Sequence, residues 1–204
     1  MDFTAKDLQA LLDELARVMA AERDTLCALD GEIGDADHGI AMEQGMAAAA
    51  SAARDLAADL EDCSLQDLFN AAAKGFLNAV GASSGPLYAT AFMRAGKQVG
   101  PATSIAADDL RFVIVAMADG ITHRGKAETG QKTMIDAWRP AADIAAAGGT
   151  SADVLAAAEA GAASTRDMVA TLGRAARLGD RSLGHPDPGA VSATLIVKAI
   201  CMRF

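Results

Sequence analysis

The spacing of apolar residues in the first twenty positions constrains this chain more than any other feature. Leu8, Leu11, Leu12, Leu15 and Met19 recur at three- and four-residue intervals, which gathers them on one face of a helix and would scatter them over both faces of a strand. Thr4 followed by Asp7 supplies a capping-box-like start. This pattern predicts a helix to about Leu26, and similar segments follow. They run from about Ile40 to Leu60, from a Ser64 cap to Val80, from Pro86 to Val99, and from Ala106 to Ile121. The last three run from Thr133 to Ala147 with Pro140 as a kink or first-turn residue, from Ser151 to Leu178, and from Ala190 to the end. No stretch alternates convincingly with period two. Aromatic residues are only 4% of the chain while alanine abounds, which suits close helix packing better than sheets. The expectation is one all-α domain over residues 1–204, with eight helices on short joints.

Charge and cysteine content remove several function classes. A formal net charge of −9 and a pI near 4.7 argue against binding nucleic acid or anionic membrane. Cys27, Cys63 and Cys201 form no C-x-x-C pair and fit buried thiols in a reducing compartment better than a disulfide or zinc framework. The N-terminus has no basic start followed by an apolar run, and no segment approaches the length of a membrane span. A cytoplasmic protein is expected.

Chemistry concentrates in the loops. In LDGEIGDADHG, the carboxylates of Asp30, Asp35 and Asp37 fall in one short stretch, with Gly31, Gly34 and Gly39 freeing the backbone to turn. Carboxylates this close repel unless a cation neutralises them, and their hard oxygens suit magnesium or calcium. Aspartates and glycines also cap and turn between helices, but the set taken together favours a metal site. The calcium-loop pattern fails, because its closing glutamate position holds Ala41 or Met46. An incomplete carboxylate cage matches magnesium shared with phosphate oxygens. His38, directly after the cluster at a helix start, is placed for a phosphate contact. The turn Gly81-Ala82-Ser83-Ser84-Gly85-Pro86 offers small residues and hydroxyls before a helix. Gly120-x-x-x-x-Gly125-Lys126 approaches a phosphate-binding loop, but Ala127 replaces the required Ser/Thr and a helix precedes it, so it is rejected. Arg174 and Asp187-Pro188-Gly189 have sufficient structural explanations as a solvated charge and a helix cap.

Four segments, LDGEIGDADHG, GASSGPLYATAF, GKAETGQKTMIDAWRPA and GDRSLGHPDPGA, occur in an order and at a spacing that resemble the nucleotide-binding L subunit of dihydroxyacetone kinases, the DhaL type, over essentially the whole chain. The resemblance implies an eight-helix up-and-down barrel with an ADP or ATP site at one end. It implies that Asp30, Asp35 and Asp37 hold two Mg2+ ions and that His38, Gly39, Ile40 and Ala41 line the phosphates. Ser83 and Ser84 match a phosphate-contacting turn, Gly125 and Met134 lie near the adenosine, and Arg174 with Asp187, Pro188 and Gly189 completes the pocket. Asp30, Asp35, Asp37 and His38 are then the candidate catalytic set.

Three positions depart from the family pattern. Gln131 stands where Asp is common, Ala41 where Asn is frequent, and Ala36 where Gly is common, the last a mild change because the flanking aspartates remain. In the family the ketose is held covalently on a histidine of a separate K subunit, so the expected partner is a K-type ketose-binding subunit, and the chain alone is half an enzyme. Two alternatives stay open. ADP is a bound coenzyme recharged by a phosphotransferase-system M subunit, or the chain is a nucleotide-binding co-regulator of a transcription factor.

Overall fold

The computed structural model describes residues 2–59, 63–81 and 84–204. Among these are nine α-helices, α1 (Ala5–Ala21), α2 (Arg23–Ile33), α3 (His38–Asp59), α4 (Leu65–Ala79), α5 (Ser84–Val99), α6 (Leu110–Gly125), α7 (Ile135–Ala146), α8 (Ser151–Ser164) and α9 (Pro188–Cys201). Helices α1 and α3 to α9 pack in chain order, each on the next, and α9 returns to α1 to close the ring. Short joints between consecutive helices make neighbours antiparallel. The all-α up-and-down barrel expected from the sequence is what the chain forms, with α2 packed on α3 and α9 at one end.

Local chemistry explains the helix starts. At Thr4, Ser64 and Thr150 the hydroxyl accepts the N–H of the aspartate three residues on, and that carboxylate accepts the N–H of the capping residue. Each box satisfies two backbone donors that a helix end leaves without partners. The apolar stripe Leu8, Leu11, Leu12, Leu15 and Met19 is buried to 3% exposure or less, each side chain stabilising the fold by about 1.5–3 kcal/mol. It meets a core centred on Trp138, Tyr88, Phe76 and Phe92, with the Phe76 and Tyr88 ring centroids 5.4 Å apart.

The structure corrects the expected boundaries in three places. The first helix breaks at Glu22, and α2 continues to Ile33, so Asp30 lies in a helix rather than a loop. The helix expected to reach Leu178 ends at Ser164. Beyond it, Gly173 and Gly179 take positive φ, and only 3₁₀ turns at Thr165–Asp167 and Ala175–Ser182 form. A short antiparallel pair, β1 (Asp2–Thr4) and β2 (Ser104–Ala106), was not expected, because three residues are too few to show a period of two.

Pro140 lies inside α7. It has no N–H for the Asp136 carbonyl four residues earlier. That carbonyl faces Gly161 of α8, where an added Cβ would collide with it. Gly161 therefore sets how closely α7 and α8 approach. In Gly161→Ala, overpacking of about 1–3 kcal/mol should outweigh a helix-propensity gain of about 0.5–1 kcal/mol. The expected result is a lower urea midpoint with unchanged far-ultraviolet helix signal, and a raised midpoint would refute this packing argument.

Candidate functional site

One end of the barrel opens into a cavity of about 460 Å³. Its wall takes residues from the C-terminal ends of α2, α4 and α6 and from the N-terminal ends of α3, α5, α7 and α9. Four helix N-termini thus face one space. Each offers N–H groups without helical partners and about half a unit of positive charge, so an acidic chain presents an anion-attracting surface there.

The carboxylates of Asp30, Asp35 and Asp37 lie on the cavity wall and bring one oxygen each within 4.8 Å of one another. Asp30 organises them. Its Oδ2 accepts the backbone N–H of Asp37 at 2.9 Å and of His38 at 3.2 Å, which turns the chain and starts α3. Its Oδ1 lies against Gly34, where a Cβ would collide with the carboxylate. The turn also needs Ala36 at φ 61°, in the left-handed region that disfavours side chains. The change from glycine at this position is therefore less mild than the sequence suggested.

Burial, and then the charge of Asp30, push Asp37 above the ordinary carboxylate range. The guanidinium of Arg174 lies 3.2 Å from Asp37 and is also in contact with Asp35. Three close carboxylates facing a single guanidinium form a donor set that fits a hard divalent cation.

His38 is half-buried, with its Nε2 2.9 Å from Ser192 Oγ, and burial lowers its pKa against the opposing charge of Asp30. Ser84, Gly125, Met134, Arg174, Asp187, Pro188, Gly189 and Ala41 also line the cavity. Gly39 and Ile40 do not. Gly39 packs on the Arg23 carbonyl, and Ile40 is 44% exposed. Ser83 lies outside the described residues.

The sequence reading missed Lys132, which lies in the cavity wall and is 1% exposed. Its Nζ donates to the carbonyls of Thr165 and His185, fastening the entry of α7 to the chain before α9. A lysine within GQKT was the available signal, but nothing in the sequence marks it as buried. The Gln131 departure is accommodated, since its Oε1 accepts the Glu128 N–H at 2.8 Å, a role open to a carboxylate or an amide.

Comparison with known proteins now identifies the fold. The DAK2 domain matches residues 32–202. The chain belongs to the DAK2-domain family, in its DhaL type. It is 40% identical over 189 residues to the ADP-binding subunit DhaL of PEP-dependent dihydroxyacetone kinase 1 of Listeria innocua, covering 93% of this chain and 91% of that one. It is 35% identical to the corresponding Escherichia coli subunit, covering 91% and 90%. L-erythrulose 1-kinase of Mycolicibacterium smegmatis is 35% identical over 96% of this chain, which spans only 35% of that longer protein. Among solved structures, the dihydroxyacetone kinase of C. freundii in complex with AMP-PNP and Mg2+ superposes with a TM-score of 0.70 at 26% identity, over 95% of this chain and 33% of that one. No helix among the described residues is long and apolar enough to cross a membrane.

Two outcomes follow from the geometry. Ala36→Gly relieves a left-handed alanine and should raise stability by up to about 1 kcal/mol, read as a higher melting temperature; a lower one would contradict the strain. Burial pushes Asp187 up to about 7, against the pull of the Ala190 N–H and Lys132. Between about pH 4 and 7 the unfolded chain loses this proton while the folded chain keeps it, so the Asp187 contribution to stability falls as pH rises. In metal-free protein, Asp187→Asn should remove this part of the pH slope of the urea midpoint. An unchanged slope would place the Asp187 pKa in the ordinary range.

Proposed function

We propose that this chain is the nucleotide-binding subunit of a ketose kinase of the dihydroxyacetone or ketotetrose type. It carries ADP or ATP with two Mg2+ ions and passes the phosphoryl group to a ketose held covalently on a histidine of a separate K subunit. The observation that carries the proposal is the meeting of three carboxylates with four helix N-termini in one cavity. Cation ligands and phosphate-binding amides are thereby within reach of the same ligand. The relatives' names, ADP-binding subunits and erythrulose kinases, and the AMP-PNP and Mg2+ of the structural neighbour support the nucleotide, the cation and the substrate class.

In this proposal Asp30 Oδ1, Asp35 and Asp37 hold magnesium, which when bound neutralises charge on the phosphates. The amides at the starts of α5 and α9 face the phosphate oxygens. Gly125 and Met134 bound the adenosine end, while Arg174 exchanges its contacts with Asp35 and Asp37 for the nucleotide. Lys132 and Asp187 hold the wall in place. The chain's own contribution to catalysis is orientation and fixed charge, which act before the reaction and need no reorganisation during it.

The donor has a second reading. The Listeria innocua and Escherichia coli relatives are named PEP-dependent, which favours ADP as a retained coenzyme recharged by a phosphotransferase-system M subunit. ADP that survives purification and resists exchange with free ATP supports the coenzyme reading; rapid exchange supports ATP as donor.

For either donor, Asp35→Asn and Asp37→Asn should each weaken magnesium-dependent ADP binding by about tenfold or more, about 1.4 kcal/mol, with the helical spectrum unchanged. Calorimetry with magnesium present measures this, and undiminished affinity in both variants would falsify the site.

A further inference from the structure

Ser192, fully buried on α9, lies outside the cavity wall but touches His38. A serine hydroxyl has one proton and two lone pairs. Its Oγ is 3.0 Å from the Gly189 carbonyl, which accepts the hydroxyl proton in this arrangement. With that proton given to Gly189, the His38 Nε2, 2.9 Å from the same Oγ, is the donor to Ser192.

The Tyr88 hydroxyl and Trp138 Nε1 are buried and make no hydrogen bond of good geometry among the described residues. Yet Trp138 and Ser192 both lie close enough to act on the Tyr88 phenol as hydrogen-bond partners. Buried polar groups are seldom left unpaired. With the Ser192 proton on Gly189, one assignment satisfies all of them. Trp138 Nε1, a donor only, gives to Tyr88, and Tyr88 gives to Ser192.

We propose that Ser192, backed by Tyr88 and Trp138, is a positioning residue that holds His38 as its Nε2–H tautomer, leaving Nδ1 as an acceptor for an O–H donor bound in the cavity. Nδ1 makes no hydrogen bond among the described residues, and the His38 backbone N–H is given to Asp30. In this tautomer His38 has no donor left for a phosphate oxygen. The identity of the O–H donor rests on the proposed function. It is a water held by the divalent cation or a ribose hydroxyl of the nucleotide, which share the same chemistry toward Nδ1.

The test is nitrogen NMR of the full chain labelled in its histidines, at about pH 8, where an imidazole of ordinary pKa is neutral. Without ligand, the His38 Nε2 signal should fall at the protonated position and Nδ1 at the unprotonated one. Ser192→Ala should move the two signals toward each other as tautomers exchange, and Tyr88→Phe should do so more weakly. An Nδ1–H tautomer in the wild type, or spectra unchanged in both variants, would overturn the inference. This arm needs no nucleotide, so its failure is distinct from a failure of ADP to bind. A displaced Nδ1 signal on adding magnesium alone supports cation-held water. Displacement that requires ADP and vanishes with 2′,3′-dideoxy-ADP supports a ribose hydroxyl. An unmoved Nδ1 with magnesium and ADP bound by calorimetry would refute the acceptor role.

Discussion

The Asp30 carboxylate is the interaction on which the rest of the site depends. One of its oxygens accepts the N–H groups of Asp37 and His38, so one side chain joins the last turn of α2 to the first turn of α3. Without that link the four residues between the helices would have no fixed course. Asp35 and Asp37 would not converge on Asp30, and His38 would not reach Ser192. The same carboxylate is one of the cluster that calls for a cation. Asp30 is 8% exposed, while Asp35 and Asp37 are open to solvent.

An acidic protein that gathers anions needs local sources of positive potential, and the barrel supplies them through its topology. Because neighbouring helices run in opposite directions, α3, α5, α7 and α9 all begin at one end. Their dipoles add at the cavity. Two basic side chains lie in the wall: the Arg174 guanidinium contacts Asp35 and Asp37, and the Lys132 ammonium is occupied by carbonyls of Thr165 and His185 and faces Asp136 and Asp187. The lysine charge is used to hold three chain segments together, which makes it a fastening more than a ligand. Asp136 works alongside it, accepting the N–H groups of Gly130 and Thr133 so that the entry to α7 keeps its shape.

Legibility in the sequence followed the range of the interaction. Capping boxes at Thr4 and the helix start at Ser64 could be read because each is complete within four residues. The convergence of the three aspartates could be read because they fall in one short stretch of chain. The break at Glu22 and the end of α8 at Ser164 could not, because apolar spacing carries on past both while tertiary packing and glycine conformation decide the outcome. Ser192 gave no signal at all. It is a small residue on an apolar helix, and its contact with His38 spans 154 positions.

The departures from the family pattern bear on the same distinction between backbone and side chain. Gln131 in place of an aspartate keeps an oxygen for the Glu128 N–H, and a neutral amide satisfies that donor as geometry requires. Ala36 in place of a glycine keeps the turn but adds a Cβ at φ 61°. The turn holds because Asp30 fixes both of its ends, so the strain is borne by a segment that has no alternative course. A position can therefore lose its usual residue without losing its conformation when the hydrogen bonds around it already determine the chain. What a substitution of this kind changes is the stability of the metal-free loop. The chemistry of the proposed cation site is left with the aspartates that flank it.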